Sequence, residues 1–64
     1  MSIARISIVE GRTDERKAEI TAAVTEALHQ RMDAPRENIR ILLDEVPRSH
    51  WGIAGKTALA LGRH

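Results

Sequence analysis

Cysteine is absent from this sequence of 64 residues, and Trp51 is its single aromatic residue. Without cysteine the chain has no disulfides and no thiolate metal site. The histidines, His29, His50 and His64, lack ligand-like spacing, so we expect no bound metal and no cofactor. A chain this short usually depends on disulfides, a metal or partner subunits for stability. What remains is association with other copies, or a monomer that packs unusually well without an aromatic core.

An excess of charge of one sign and long apolar runs are also missing. Ten Lys and Arg against nine Asp and Glu give a net charge of +1, and the arginines are scattered. This balance does not favour a nucleic-acid partner, because proteins that bind nucleic acids normally carry a clustered basic face. No apolar run approaches the ~18 residues of a membrane span, and no signal peptide precedes the first strand. We therefore expect a cytoplasmic protein that forms a single domain, 1–64, without membrane contact.

Two strand-like segments flank one helix-like segment. Residues 3–9 and 39–46 are rich in β-branched and other apolar side chains and are predicted strands. Between them, apolar residues recur at helical spacing over residues 14–32, and Thr13 is a suitable N-cap. Pro35 disfavours helical geometry in the residue before it and should end the helix. A long helix between two strands predicts a parallel β-α-β unit.

The predicted sheet has one face for the helix and one face without a cover. The helix-facing side is predicted to carry Ala4, Ile6, Ile8, Ile39, Ile41 and Leu43. The other side carries apolar residues and two arginines: Ile3, Arg5, Val9, Arg40, Leu42 and Val46. The segment 48–64 is either a short hairpin or an arm. Because parallel sheets are normally covered on both faces, we predict an α+β protomer that assembles into an oligomer.

Arginine is the residue type that offers chemistry here, since no phosphate loop, nucleophile motif or carboxylate pair is present. Arg12 follows the first strand, and Arg40 lies near the start of the second. Two planar guanidiniums beside an apolar wall favour a clamp for a small dicarboxylate or keto acid. Alternatively, Arg40 is an interface arginine held by Asp44 or Glu45. Trp51 is either an interface or core plug, or the wall of such a site.

The order of several short motifs resembles the 4-oxalocrotonate tautomerase family over the whole chain. These motifs are Glu10-Gly11-Arg12, the helix with an acidic first turn, Asp33-Ala34-Pro35, Arg40 in the second strand, and His50-Trp51-Gly52-Ile53-Ala54-Gly55. The resemblance implies a tautomerase fold in which two protomers pair their sheets and three pairs form a homohexamer. It also implies an isomerase that interconverts enol and keto forms of 2-hydroxydienoates. Arg12 and Arg40 would then bind substrate, one of them from a neighbouring subunit, with Trp51 as an apolar wall.

The amino terminus departs from the family pattern. The family's general base is the ring nitrogen of an amino-terminal proline, whereas Ser2 follows Met1 here. A serine hydroxyl is a poor base without a histidine to activate it. If Met1 is removed, the α-amine of Ser2 becomes the candidate base; if Met1 stays, the amine is displaced by about 3.8 Å. We therefore expect weak or absent tautomerase activity. The alternative is a non-catalytic or engineered inactive relative that binds small carboxylates between subunits.

Overall fold

The chain folds as one β-α-β unit followed by a short hairpin and one turn of helix. The computed structural model describes residues 1–63, so that His64 lies outside them. The elements are β1 (Ser2–Val9), α1 (Asp14–Met32), a 3-10 turn (Arg36–Asn38), β2 (Ile39–Val46), a second 3-10 turn (Arg48–His50), β3 (Gly52–Ile53), β4 (Lys56–Thr57) and α2 (Ala58–Leu61). The predicted α+β class is confirmed, and β1 begins one residue earlier than the predicted strand.

Strands β1 and β2 pair in parallel over their full length. The register runs from Ser2 opposite Ile39 to Val9 opposite Val46. Both strands therefore begin at one end of the sheet and finish at the other. At the usual rise per residue, the two ends lie roughly 23 Å apart. This separation determines which candidate residues can meet within one chain.

Local signals set the two ends of α1. The Thr13 hydroxyl accepts a hydrogen bond from the Arg16 backbone N–H at 3.2 Å, which confirms the predicted N-cap. The helix ends because Asp33 takes up a left-handed conformation, with φ 53° and ψ 39°. The sequence had attributed this end to Pro35, two residues later. An aspartate tolerates left-handed geometry better than most residues, so it stops the helix first.

An ion-pair cluster connects the start of α1 to the end of β2. The Lys17 ammonium lies 2.8 Å from Glu45 and 3.2 Å from Asp14. These two carboxylates, with Glu45 the stronger partner, raise the pKa of Lys17 above its ordinary value. The cluster holds the helix against the sheet at the end where β1 and β2 finish.

The C-terminal segment is a hairpin, one of the two forms predicted for it. Strands β3 and β4 pair antiparallel, with Gly52 opposite Thr57. Ala54 and Gly55 occupy the turn with φ of 51° and 88°, as a tight two-residue hairpin turn requires. The Ala58 backbone N–H then donates to the Trp51 carbonyl at 2.7 Å, which closes the segment on itself.

One protomer leaves much of its apolar surface open. In the described part of the chain the buried apolar residues are Val9, Ile39 and Ala58. The exposed large apolar residues are Met1, Ile3, Met32, Leu42, Leu59 and Leu61. The radius of gyration is 14.4 Å, against about 11 Å for a compact chain of this length. The accessible area is 4820 Å², against about 4100 Å² for a folded monomer of this mass.

Burial follows the predicted alternation along β1, with one exception. Ala4, Ile6 and Ile8 are partly covered, whereas Ile3 and Arg5 on the other face are exposed. Val9 was expected on the uncovered face but is buried within the protomer. Val9 borders the same depression as Trp51 and Ile53, so the C-terminal segment lies beside this end of the sheet. The uncovered face therefore does not include Val9, and it carries Ile3 and Leu42, which lie closer to the start of the two strands.

Candidate functional site

Arg12 and Trp51 line one depression at the end of the sheet where the strands finish. The depression has a volume of about 350 Å³, and its other lining residues are Ser7, Ile8, Val9, Ile53 and Arg63. Gly11, with φ 121°, turns the chain after β1. Arg12 then folds back, and its Nη1 donates to the Val9 carbonyl at 3.2 Å. This one bond leaves most guanidinium N–H groups of Arg12 for an anion.

Backbone contacts position Trp51 in this half of the site. Its N–H donates to the Arg48 carbonyl at 3.5 Å, and its carbonyl accepts from Ala58 at 2.7 Å. The side chain is half-buried and has Ile53 beside it in the depression. An indole and an aliphatic side chain thus line the same depression as the Arg12 guanidinium.

Glu10 supports the same end of the sheet and was not singled out from the sequence. Its backbone N–H donates to the Val46 carbonyl at 3.0 Å, and its carboxylate accepts from the Arg48 N–H at 3.2 Å. The residue thereby links the end of β1 to the segment that leads to Trp51. Its place beside Gly11 and Arg12 was the available sequence signal, but this long-range contact depends on the fold.

Ser2 and Arg40 lie at the opposite end of the sheet. Ser2 stands opposite Ile39 in the register, and Ile3 stands opposite Arg40. Met1 extends beyond them and is 81% exposed. The Arg40 Nη1 donates to the backbone carbonyls of Glu37 and Ile39. The amino terminus and Arg40 therefore lie at the same end of the sheet, away from the depression that Arg12 lines.

Within the described protomer, Asp44 and Glu45 pair with residues other than Arg40, so the alternative that one of them holds Arg40 stays a prediction for the interface between subunits. Asp44 lies 3.4 Å from Arg5, and Glu45 lies 2.8 Å from Lys17. Along an extended strand, Asp44 is roughly 13 Å from Arg40, so the two side chains do not meet. The charged end of Arg40 instead turns to the backbone at the start of its own strand.

The fold places Arg12 and Trp51 in one depression. It places Ser2 and Arg40 at the opposite end of the sheet, where the register puts their side chains on opposite faces. The parallel register places the pairs at ends that are roughly 23 Å apart. A small carboxylate cannot contact both within one chain. All four residues can surround one ligand only if different subunits contribute the two halves.

Two further properties concern the described residues alone. Within 1–63, no group of three or more His, Cys, Asp or Glu side chains is arranged to hold a metal ion. Within the same range, neither helix has the length and apolar character needed to cross a membrane.

Comparison with known proteins identifies close relatives over the whole chain. The family described as Tautomerase enzyme matches residues 3–59. The 2-hydroxymuconate tautomerase of Stutzerimonas stutzeri is 44% identical over 63 residues, which cover 98% of this chain and 100% of the relative. A 2-hydroxymuconate tautomerase of Pseudomonas putida is 43% identical over the same shares.

Solved structures agree with this likeness. A 4-oxalocrotonate tautomerase isozyme from Methylibium petroleiphilum is 44% identical, with a TM-score of 0.92 over 95% of this chain and 98% of that one. A heterohexameric 4-oxalocrotonate tautomerase from Chloroflexus aurantiacus is 36% identical, with a TM-score of 0.91 over the same shares. The family match, the sequence identity and the similarity of fold all extend over nearly the whole chain. The chain belongs to the tautomerase family.

Proposed function

We propose that the chain is a subunit of a tautomerase-type isomerase whose site lies between subunits and takes small 2-hydroxy or 2-keto acids. The observation that carries this proposal is the depression that Arg12 and Trp51 both line. A guanidinium beside an apolar wall suits a planar, conjugated carboxylate, because it binds the charge while the wall contacts the carbon chain. Relatives that share 44% of the residues are 2-hydroxymuconate tautomerases, which supports the same substrate class.

In the proposed reaction, two subunits supply the residues that transfer the proton and bind the substrate. The free terminal amine accepts the proton of the substrate's 2-hydroxyl and returns it to the far carbon of the conjugated system, so that an enol becomes a ketone. Arg12 and Arg40 hold carboxylate and carbonyl oxygens and stabilise the negative charge that develops between the two proton transfers. Trp51 limits water around the reacting atoms.

The assembly that we propose is a homohexamer built as a trimer of dimers. Three features of the protomer support it: the open face with Ile3 and Leu42, the large accessible area of 4820 Å², and the division of the site into halves. The Chloroflexus aurantiacus relative is a heterohexamer, so the family also forms mixed assemblies. Native mass spectrometry of the chain purified alone tests this proposal, and a stable monomer would contradict it.

Ser2 in place of the family's proline leads us to propose weak or absent activity. Loss of a positioned general base typically costs about 10²–10⁴ in rate. The test is the Ser2→Pro variant with Met1 cleaved, confirmed by intact mass, followed by the ultraviolet change as 2-hydroxymuconate ketonises. We expect a rate at least about tenfold above that of the unchanged chain.

The matched control is Ser2→Ala with Met1 cleaved, which removes the hydroxyl but keeps a primary amine. If the amine is the residual base, this variant retains the rate of the unchanged chain. A Ser2→Pro variant no faster than Ser2→Ala shows that the missing proline is not the limiting defect.

The second candidate function is a non-catalytic module that binds small carboxylates in the same intersubunit pocket. Ser2 favours it, since the binding residues Arg12, Arg40 and Trp51 are present without the proline. Calorimetry with a dicarboxylate separates the two functions: the module binds but produces no rate, even as Ser2→Pro. Failure to bind, or binding unaffected by Arg40→Ala, would exclude this pocket. A cytoplasmic location stays a prediction from the sequence.

A further inference from the structure

Arg63 shares the depression with Arg12 although it lies at the far end of the sequence. No motif of the sequence pointed to it. Its guanidinium makes no ion pair within residues 1–63. Among the described residues that line the depression there are two guanidiniums and no carboxylate. The depression therefore concentrates positive charge beside the apolar surface of Trp51 and Ile53.

The backbone determines where Arg63 lies. Gly62 adopts φ 69° and ψ 25°, and its N–H donates to the Leu59 carbonyl at 3.2 Å. The Arg63 N–H donates to the Ala58 carbonyl at 2.9 Å. This pair of bonds is the Schellman arrangement, which reverses the chain after a helix. It turns Arg63 back towards the sheet.

The anchor of this turn is well buried. Ala58 is 1% exposed, and its own N–H donates to the Trp51 carbonyl at 2.7 Å. Arg63 is thus connected through Ala58 to the backbone of Trp51. A loose terminal arginine would have no such connection to the residue that forms the apolar wall.

We propose that Arg63 and Arg12 form a two-guanidinium subsite for the distal carboxylate of a dicarboxylate, so that Arg63 determines specificity for dicarboxylates over monocarboxylates. The inference rests on the proposed function, and it assigns to one end of that site a residue outside the Arg12 and Arg40 pair. Two guanidiniums that repel each other gain most from an anion placed between them, because each donates charge-assisted hydrogen bonds to its oxygens. A methyl group at the same place gains nothing from either.

The test compares trans,trans-muconate with sorbate, which has the same six-carbon diene but a methyl group in place of one carboxylate. Calorimetry measures the dissociation constants of both ligands for the assembled chain and for Arg63→Gln. We expect Arg63→Gln to weaken muconate roughly three- to tenfold and to leave sorbate within about twofold. Arg31→Gln removes an arginine from α1 with the same change in net charge, and should alter neither constant.

A second pair of variants tests the placement of Arg63 without removing its charge. Gly62→Ala strains the left-handed turn, whereas Gly62→Asn tolerates it. We expect the preference for muconate to fall in Gly62→Ala and to persist in Gly62→Asn. A preference that survives both Arg63→Gln and Gly62→Ala overturns the subsite and leaves the proposed function intact. If the unchanged chain binds neither ligand, the proposed function and the subsite both fail.

Discussion

Variants in different halves of the site should complement each other in mixed assemblies. Arg12→Ala removes the guanidinium beside Trp51, and Arg40→Ala removes the one near Ser2. Each variant alone lacks one arginine in every site, so we expect each to bind muconate about tenfold or more weakly than the unchanged chain. When the two are unfolded together and refolded, every site of the proposed assembly draws its two halves from different chains.

The expected extent of recovery follows from the separation of the halves. Arg12 and Arg40 lie at ends of the sheet that are roughly 23 Å apart, so no site takes both from one chain. In a random equal mixture, about one site in four combines an intact Arg12 half with an intact Arg40 half. If one chain supplied both arginines, the mixture would contain no complete site.

Calorimetry measures this recovery as the number of tight muconate sites per chain. The control mixes Arg12→Ala with Trp51→Leu, whose altered residues belong to the same half. No chain in that mixture carries both Arg12 and Trp51, so no tight sites should return. Equal recovery in the two mixtures, or none in either, would refute the assignment of the halves to different subunits.

Two further predictions concern the open face and the acid response. Leu42→Glu should reduce the fraction of assembled protein in sedimentation experiments, because Leu42 is 45% exposed on the open face and burying an unpaired charge is costly. The control is Met32→Glu, at a site on α1 that is 52% exposed. Unchanged assembly in Leu42→Glu would contradict the proposed interface. Arg36 donates a hydrogen bond to Glu26 at 2.7 Å and lowers the pKa of Glu26 below its ordinary 4.5. The stability that this pair contributes is therefore present above pH 4.5 and is lost as the pH falls through the lower pKa of the folded state. Glu26→Gln should therefore flatten the decline of urea stability as the pH falls below 4.5, and the effect should be modest because the pair is exposed. An unchanged decline would exclude the pair as a contributor.

The main elements of the fold were predictable because their signals are local. The N-cap Thr13 and the helical spacing that follows it mark α1, and alternation marks β1. The predicted bounds of the helix, 14–32, are confirmed, and of the predicted end, Asp33-Ala34-Pro35, it is Asp33 rather than Pro35 that stops the helix. Several neighbouring residues can each stop a helix, and only backbone geometry shows which one does.

The candidate site was less predictable, because its geometry depends on contacts between distant parts of the chain. The sequence paired Arg12 with Arg40 as one clamp, and the parallel register separates them within the protomer. The sequence predicts no role for Glu10 or Arg63, because the contact between the Glu10 carboxylate and the Arg48 N–H, and the place of Arg63 in the depression with Arg12, both depend on the fold. Residue type thus predicts an anion-binding role for the arginines but not how the fold arranges them.

The sequence by itself determined the order of the elements, the open apolar face that calls for a second copy, and the presence of Ser2 directly after Met1. These depend on residue type and short-range periodicity, which folding does not change. Only the tertiary structure decided that Arg12 lies with Trp51 and Arg63 while Arg40 lies with Ser2. The physical reason is the direction of the strands: parallel pairing sends the end of β1 and the start of β2 to opposite ends of the sheet.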